Sequence, residues 1–231
     1  MLFVTAHGRG IAAPCAAPVE GSRARADQRS VNCPKTFAPA RKEMPVRTFR
    51  MASAADAAAL LRVYAPYTFA AVSFEEGPPS LEAFAARICD ISAVYPYIVC
   101  EVDGEIAGYA YAHLYRERAA YRWNVETTIY LAPAFHRQGI GCALMERLLA
   151  MLRRQGVRMA YSCITLPNPA SVGLHEAMGF TRAGAFADAG WKNGRWRDVV
   201  WMQKRLSDSA EAPHEIVPIG KIDVRDLLGN D

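Results

Sequence analysis

The residues most able to do chemistry lie in the central part of the chain, in a fixed order. Glu126 stands in a strand-like run, and the glycine pair Gly139 and Gly141 follows, directly before a helical pattern. A second short helical pattern begins after Asn168 and carries His175. A carboxylate and an imidazole can take up or release protons in a reaction, and a glycine turn at a helix start can hold an anion. Together they indicate a site that holds a phosphorylated carrier and moves a group onto an amine.

The glycine turn has two interpretations. Glycines let the backbone approach a ligand closely, and the unpaired N–H groups at a helix start favour an anion such as pyrophosphate. A dinucleotide fingerprint needs a third glycine where this chain has Leu144, and an acidic residue about 20 residues later that is missing here. The turn therefore predicts a pyrophosphate ligand that is not a dinucleotide, or else a glycine pair needed only for a tight turn.

Helix-start signals place two helices ahead of this region. Ser53 followed by Asp56 predicts a capped first helix, and Ser80 predicts the start of a second. Between them the sequence predicts a loop from Pro66 to Pro79 with exposed aromatic side chains. After the glycine turn, leucines at helical spacing predict a further helix that ends at Gly156.

Strand signals surround these helices. Asp103-Gly104 and Asn193-Gly194 each join two strand-like runs, which predicts two hairpins. The run 123–131, which contains Glu126, alternates between its two faces as a strand does. Strand pairs around a central turn and helix predict a single mixed α/β domain.

The composition bounds the class of protein. Of 231 residues, 52% are hydrophobic and 22% are charged, which is ordinary for a globular protein with a real core. No run approaches the roughly 18 apolar residues of a membrane span. Of 27 basic and 23 acidic side chains, residues 1–43 hold seven and three, which leaves 20 of each in residues 44–231. The main domain therefore gives no electrostatic reason to expect nucleic acid.

The chain divides into three predicted segments. Residues 1–45 are expected to be disordered or to be an extension ahead of a true start at Met44, although an organellar targeting role stays open. Residues 46–206 form the main domain, and residues 207–231 are expected to be a loose tail. None of the six cysteines forms a Cys-x-x-Cys pair, which favours structural thiols and a cytoplasmic location.

Two motifs carry a family resemblance. The run 130–143 resembles the acyl-CoA-binding element of the GNAT acetyltransferases, although His136 stands where that motif has Gln or Arg. Asn168 and His175 ahead of Gly179-Phe180 resemble the second GNAT signature. Many members have a tyrosine in place of His175, whereas the phosphinothricin N-acetyltransferase branch has a histidine there.

Further stretches resemble that branch more narrowly. They are YPYIVCEVDGE from Tyr95, AYRW from Ala120 leading into Glu126, LPNP from Leu166 and GWKNGRWRD from Gly190. The branch acts on phosphinothricin, methionine sulfoximine and methionine sulfone. The resemblance therefore implies an acetyl-CoA-dependent N-acetyltransferase that acts on the α-amino group of a small amino acid or analogue.

The resemblance also implies a fold and partners. The fold class is α/β, mixed α+β, with a mostly antiparallel central sheet flanked by helices. Acetyl-CoA is the cosubstrate, no metal is expected, and the acetyl group passes directly to the amine in a ternary complex. A homodimer is expected, with the C-terminal hairpin near the partner, and neither nucleic acid nor membrane is expected as a partner.

The site residues follow from the same resemblance. Glu126 is the expected base, and His175 orients or deprotonates the amine or protonates the leaving thiolate. The expected cosubstrate contacts are Ile129, Tyr130, Leu131, Arg137, Gln138, Gly139, Ile140, Gly141, Cys142, Ala143, Asn168 and Ser171. The expected substrate contacts are Arg118, which matches a branch arginine, and Arg116, Tyr121 and Phe74.

The acetyl transfer that the resemblance implies needs a base. An ammonium group cannot attack a thioester, so a base must remove a proton. A free glutamate has a pKa of about 4.3 and is a poor base unless burial raises that value or a water relays the proton. Simpler roles stay open: Glu126 on a half-exposed strand face, His175 as a packed helix residue, and Asn168 as a helix N-cap.

Two other functions remain alternatives. Acetylation of a protein N-terminus or a lysine needs an open peptide groove, whereas the aromatic loop around Phe69 and Phe74 favours a closed pocket. A non-catalytic acyl-CoA sensor would not need both Glu126 and His175. The substrates of the branch are not distinguished, because a methyl or hydroxyl change is worth only ~1–3 kcal/mol in a pocket.

Overall fold

The computed structural model of the chain describes residues 45–229. Residues 1–44 lie outside the described residues, and with them nearly all of the segment 1–45 that was expected to be disordered or an extension. The helices are α1 (Ala57–Phe69), α2 (Leu81–Ser92), α3 (Ile140–Gln155) and α4 (Pro169–Ala177). The strands are β1 (Arg47–Met51), β2 (Tyr97–Val102), β3 (Glu105–Leu114), β4 (Asn124–Leu131), β5 (Met159–Thr165), β6 (Thr181–Lys192) and β7 (Arg195–Arg205). None of these helices is long and apolar enough to cross a membrane.

The strands form one seven-stranded sheet in the order β1-β2-β3-β4-β5-β7-β6. Every neighbouring pair is antiparallel except β4 and β5, which α3 connects in parallel. This is the α/β fold with a mostly antiparallel sheet that the sequence predicted.

Each face of the sheet carries its own apolar core. On one face, α3 packs through Leu144 and Leu148 against Val125 of β4, and all three side chains are fully buried. On the other face, α1 and α2 pack through Leu60 and Ile88 against a tyrosine-rich surface of β2 and β3. The alternation of β4 between these cores turns Val125 toward α3, and Glu126 toward the opposite face.

The predicted hairpins and helix starts are present. Asp103 and Gly104 have φ values of 50° and 84°, and Asn193 and Gly194 have 52° and 74°, as a two-residue hairpin turn requires. The Ser80 hydroxyl accepts the N–H of Ala83 at 3.1 Å and so begins α2.

The loop predicted from Pro66 begins later than expected. Helix α1 continues through Pro66 to Phe69, although proline removes one helical hydrogen bond. Contacts in the last turn offset that loss: the buried Thr68 hydroxyl donates to Ala65 O at 2.8 Å, and the Tyr67 hydroxyl donates to Leu131 O. Tertiary contacts thus extend the helix beyond its local sequence signal.

Residues 207–229 follow β7 and pack along the molecule as a C-terminal strap. They lie in the segment predicted as a loose tail and contain one short helical turn, Ile219–Lys221. Ile219 is only 5% exposed and joins the α3 core. The buried Gln155 side chain donates to Val217 O at 2.8 Å, and Val217 N–H donates back to Gln155 O at 3.1 Å. A buried amide needs such partners, which explains why the strap is held against α3.

Candidate active site

Strands β4 and β5 are neighbours in the sheet but pair at only a few positions. Residues 124–126 pair in parallel with residues 159–161, and the ladder ends there. Beyond this point, residues 127–131 of β4 have no strand partner on their β5 side among the described residues. Free backbone N–H and C=O groups at the carboxyl ends of parallel strands are a usual place for a ligand. The strand separation therefore provides a cleft at the middle of the sheet.

Glu126 lies where the two strands separate. It pairs with His113 of β3 on one side and with Tyr161 of β5 on the other, so these three side chains share one face of the sheet. Burial raises the pKa of the Glu126 carboxyl, and the nearby His113 imidazole acts in the opposite direction. A carboxylate with a raised pKa is a better proton acceptor than an exposed glutamate.

The same face carries a thiol, Cys163. It pairs with Trp201 of β7 and reaches solvent. Partial burial and the charge of Glu126 raise the pKa of Cys163 to about 11. The thiol is therefore protonated at neutral pH and is a poor nucleophile, which favours direct transfer over an acyl-cysteine intermediate.

Two predicted substrate residues, Arg116 and Tyr121, pack with Tyr115 in the segment that follows β3. The Arg116 guanidinium carbon lies 5.0 Å from the ring centre of Tyr115 and 6.0 Å from that of Tyr121. The Tyr115 ring in turn lies 4.6 Å from the ring of Tyr161, which pairs with Glu126. Ring contacts thus connect Arg116 to the strand position opposite Glu126.

Arg118 and Phe74 stand apart from this cluster. Arg118 is exposed, and within residues 45–229 its side chain makes no hydrogen bond, ion pair or ring contact. Phe74 lies on the loop between α1 and α2, where its ring covers Gly190 of β6. A Cβ atom at Gly190 would come within 2.6 Å of the Phe74 ring, so glycine is needed for this contact.

The glycine turn opens α3 as predicted. Gly139 is the N-cap with φ 81°, a left-handed conformation that favours glycine. The first N–H groups of the helix, beginning at Ile140, have no acceptor within the helix and are available to an anion. A Cβ at Gly141 would lie 3.4 Å from both Leu131 and Leu174, which is an ordinary contact distance, so packing does not require glycine there.

The remaining predicted cosubstrate contacts line the same region. Ile129, Tyr130 and Leu131 end β4, Arg137 and Gln138 lie in the exposed turn, and Cys142 and Ala143 are in the first turn of α3. At α4, the Asn168 side chain accepts the N–H of Ser171 at 3.1 Å. Asn168 therefore acts as the helix N-cap, with Pro169 in the first turn.

His136, which departs from the GNAT motif, holds the end of β4. Its Nε2 lies 3.0 Å from the Tyr67 hydroxyl and 3.2 Å from Leu131 O. These contacts connect α1 to the turn that precedes the glycines. The side chain is thus used for structure rather than left free for a ligand.

His175 lies on α4, and its side chain is buried. It is 2% exposed, its Nδ1–H donates to Ser171 O at 2.8 Å, and its ring meets Phe180 edge-on at 5.0 Å. Nε2 is buried without a partner among the described residues. Burial lowers the pKa of His175, so the neutral form is favoured. No hydrogen bond or ion pair in residues 45–229 joins it to Glu126.

His113, Tyr161 and Lys192 carry no motif that marks them in the sequence. The alternation Tyr109, Tyr111, His113 predicts one strand face, but only the register of β3 with β4 places His113 opposite Glu126. Lys192 is 7% exposed, and its Nζ donates to Thr68 O at 2.7 Å and to Glu75 O at 2.6 Å. No local pattern signals contacts this distant in sequence.

Two surface cavities, of about 330 and 320 Å³, lie elsewhere. They are lined from α3, the end of α4, β5, β6 and β7, and share Lys204. Neither contains a residue of the predicted site. The cleft beside Glu126 is thus distinguished by its chemistry rather than by cavity volume.

Comparisons with known proteins agree with this geometry. The acetyltransferase (GNAT) domain family matches residues 49–201. A phosphinothricin N-acetyltransferase of Streptomyces viridochromogenes is 35% identical over 187 residues, which cover 80% of this chain and 100% of that protein. An L-methionine sulfoximine/L-methionine sulfone acetyltransferase of Salmonella typhimurium is 33% identical over 165 residues, which cover 71% of this chain and 96% of that protein. A crystal structure of a GNAT superfamily phosphinothricin acetyltransferase from Sinorhizobium meliloti, in complex with acetyl-CoA, superposes on this chain with a TM-score of 0.71 and is 37% identical to it. The match covers 75% of this chain and 96% of that chain.

Proposed function

The chain belongs to the GNAT acetyltransferase domain family, and from this premise we propose that it transfers the acetyl group of acetyl-CoA to the α-amino group of a small amino acid or amino-acid analogue. The relatives named for phosphinothricin and for methionine sulfoximine and sulfone match over nearly their whole lengths. The observation that carries the proposal is the position of Glu126, a partly buried carboxylate at the point where β4 and β5 separate.

The chain offers fitting groups for acetyl-CoA. The N–H groups at the start of α3, after Gly139, suit the pyrophosphate, and the unpaired edge of β4 suits the amide-bearing arm. A backbone N–H of β4 is then also in place to stabilise the oxyanion that forms at the thioester carbonyl. Asn168 and Ser171 contribute indirectly, since their mutual hydrogen bond fixes the start of α4.

Glu126 takes the proton in this proposal. The substrate ammonium gives a proton to the Glu126 carboxylate, and the freed amine attacks the thioester carbonyl. The C–N bond forms, the C–S bond breaks, and the CoA thiolate leaves and takes up the second proton, which the nitrogen loses as the amide forms. Glu126 then releases its proton to solvent. Binding both substrates together, with the protonated thiol of Cys163 taking no part, makes this a direct transfer.

His175 has a narrower role than the sequence suggested. Its one proton is committed to Ser171 O, and burial opposes a second. In this state Nε2 can accept a hydrogen bond but cannot donate one. His175 is thus not the acid that protonates the leaving thiolate.

Thiol release from acetyl-CoA tests the proposed function. The assay uses a panel of amino acids and analogues, with one basic peptide, and mass spectrometry of the products. Acetylation of an amino acid that falls at least about 100-fold in Glu126→Gln supports both the activity and the base. Turnover of the peptide alone indicates a protein acetyltransferase, and acetyl-CoA binding without any turnover indicates a sensor.

A homodimer is the second part of the proposal. Strand β6 is the edge of the sheet and is exposed along nearly its whole length. It and the start of β7 present Phe186, Trp191 and Trp196, each more than half exposed. A bare edge with large apolar side chains favours pairing with a second copy. Light scattering on the purified protein gives the oligomeric state, and a monomer at all concentrations contradicts this part.

A cytoplasmic location completes the proposal. Among the described residues, Cys89 and Cys163 are free thiols that are exposed to solvent. Exposed free thiols fit a reducing compartment. Fractionation of cells that express the full chain tests this location.

A further inference from the structure

His113 stands directly beside Glu126, on the side of β4 that faces away from the cleft. The two residues are register partners in the antiparallel pair of β3 and β4, so their side chains point to the same face of the sheet. Residues directly opposite each other in such a pair have Cβ atoms about 4.5–5.5 Å apart. No hydrogen bond joins the two side chains, and at this separation one water can bridge the carboxyl and the imidazole.

The contact of the His113 ring with the backbone fixes which nitrogen can take up a proton. Nδ1 lies 3.0 Å from Leu114 O, and a carbonyl oxygen only accepts, so Nδ1 carries the hydrogen and donates it. In the neutral ring Nε2 therefore has a lone pair. Within residues 45–229 the ring makes no other hydrogen bond, so Nε2 is free to take up a proton.

The surroundings of His113 lead from Glu126 to solvent. Strand β2 begins at Tyr97, which pairs with Tyr111, two residues before His113. On its β2 side His113 therefore has no strand partner in the part of the chain that the structure describes, and its side chain is partly exposed. On the other side of Glu126 lie Tyr161 and the cleft that the two substrates fill. His113 thus lies between the partly buried carboxyl and an edge of β3 that the substrates leave open.

The other polar groups around Glu126 cannot take up its proton. Burial raises the pKa values of Tyr111 and Tyr161, and the pKa of Cys163 is raised to about 11. These phenols and this thiol stay protonated at neutral pH. The guanidinium of Arg116, in the segment after β3, also keeps its protons. An imidazole, by contrast, gains and loses a proton near neutral pH.

On the basis of the proposed function, we propose that His113 carries to solvent the proton that Glu126 takes from the substrate ammonium. The O–H bond of the Glu126 carboxyl breaks, and the proton passes through one water to Nε2 of His113, where the N–H bond forms. The imidazolium then gives this proton to a solvent water. Glu126 is thereby ionised again while the acetylated product and CoA still fill the cleft. His113 does not touch the substrate and acts through Glu126.

Steady-state kinetics of the full chain with His113→Ala test this role. We expect kcat to fall at least about tenfold, because a group that transfers protons contributes on this scale or more. The ratio kcat/KM, measured at a pH above the acid side of its profile, should change less than about twofold. Acetyl transfer is the first irreversible step, and the proton leaves Glu126 only after it. A merely structural role would lower kcat/KM as well.

Added imidazole gives a second readout. It fits the space that His113→Ala leaves and can take up the proton, so it should restore kcat toward that of the parent chain. In His113→Gln kcat should also fall, but the glutamine side chain fills the space and imidazole should restore less. His214→Ala, which removes an exposed histidine of the C-terminal strap, is the control. Its kcat should equal that of the parent chain and should not respond to imidazole.

The outcomes separate this inference from the proposed function. If kcat is unchanged in both His113 variants, if kcat/KM falls as much as kcat, or if imidazole restores neither variant, the inference is wrong while the proposed function stands. If the parent chain acetylates no amino acid, the proposed function is wrong and the inference fails with it. A lower kcat at constant kcat/KM, restored by imidazole in His113→Ala, supports both.

Discussion

Glu126 is subject to two opposing influences at the mouth of the cleft. Burial raises the pKa of its carboxyl, while His113, its strand partner on β3, lowers it. The net effect is a raised pKa, so the carboxylate is more basic than that of an exposed glutamate. Two predictions at the scale of single residues follow from this balance.

Replacing His113 should change the pH dependence of the reaction. His113→Gln removes the imidazole that favours the charged carboxylate, so the pKa of Glu126 should rise. The acid side of the kcat/KM profile, where protonation of the base stops the reaction, should therefore move to higher pH. His136→Gln is the control, because His136 contacts Tyr67 and Leu131 and should leave this limb in place. If the acid side of the kcat/KM profile stays fixed or moves to lower pH in His113→Gln, His113 does not lower the pKa of Glu126.

Replacing Glu126 should stabilise the fold in a pH-dependent way. Its folded pKa is raised above the unfolded value, so its ionised form destabilises the folded state once the pH exceeds the unfolded pKa. Glu126→Gln should therefore increase the free energy of unfolding, and the increase should be larger at pH 8 than at pH 5. Urea unfolding at both pH values measures this difference, with exposed Glu105→Gln as the control. A gain that is the same at both pH values would falsify the claim that burial raises this pKa.

At the scale of elements, the two glycines at the start of α3 have different physical roles. Gly139 has φ 81° and open space where a Cβ would lie, so its requirement is conformational. Gly141 has ordinary helical geometry and ordinary contact distances of 3.4 Å to two leucines. Of the two glycines in this motif, the fold therefore requires only Gly139.

Alanine at each glycine should separate these roles. Gly139→Ala should lower the free energy of unfolding by about 1–2 kcal/mol, because a Cβ is strained in the left-handed region. Gly141→Ala should be nearly neutral, because helix propensity gains about 1 kcal/mol and offsets the closer packing. Thermal or urea unfolding of both variants checks the order. Equal losses at both positions contradict the conformational role of Gly139.

The tip of the β6–β7 hairpin fixes the loop that carries Phe74. Lys192 Nζ binds Thr68 O and Glu75 O, and the Asn193 side chain donates to Phe69 O at 3.0 Å. The Phe74 ring then closes on Gly190. The hairpin and the loop after α1 thus act as one unit at the edge of the candidate site.

Removing the lysine amine should loosen this unit. Lys192→Met keeps the length of the side chain but leaves two backbone carbonyls without a donor, which should cost about 1.5–3 kcal/mol of stability. The KM for the amino acid should rise more than that for acetyl-CoA, since the loop carries Phe74, an expected substrate contact. Exposed Lys221→Met is the control. If KM for both substrates rises equally, the lysine has a general structural role only.

At the scale of the whole molecule, some elements of the fold follow from local sequence signals, and others depend on long-range contacts. Two-residue turns such as Asp103-Gly104 and caps such as Ser80 were predictable, because neighbouring residues alone determine them. The family motif predicts Glu126 as a site residue. Its strand partner His113 was not predictable, because neither strand's sequence alone determines how β3 pairs with β4.

The C-terminal strap shows the same limit more strongly. It has almost no regular secondary structure, so no periodic pattern marks it as ordered. Its contacts join distant parts of the chain: Trp123 Nε1–H donates to His214 O at 2.6 Å, Arg122 pairs with Glu215 at 2.7 Å, and Arg154 pairs with Asp226 at 2.5 Å. Two of these contacts reach the segment just before β4, which leads to Glu126. The strap therefore fixes the base of the loop that bears Arg116 and Tyr121.

Loosening the strap should weaken amino-acid binding without affecting the cosubstrate. Trp123→Phe removes the indole donor to His214 O and keeps an aromatic ring, so we expect the chain to fold with a loss of about 1 kcal/mol. The KM for the amino acid should rise several-fold, by roughly the factor of five that 1 kcal/mol represents, because the β3–β4 loop loses an anchor. The KM for acetyl-CoA should not change, since α3 begins at the opposite end from its strap contacts at Gln155.

His214→Ala is the matched control for this prediction, because the strap accepts through the backbone carbonyl of His214 and keeps it in the variant. Its kinetics should equal those of the parent chain. A chain truncated after residue 207 should show the larger effect, since it also exposes the Ile219 contact surface and leaves the buried Gln155 amide without Val217. Unchanged KM for the amino acid in Trp123→Phe, together with normal kinetics in the truncated chain, would mean that the strap serves stability alone and that the substrate loop holds its own conformation.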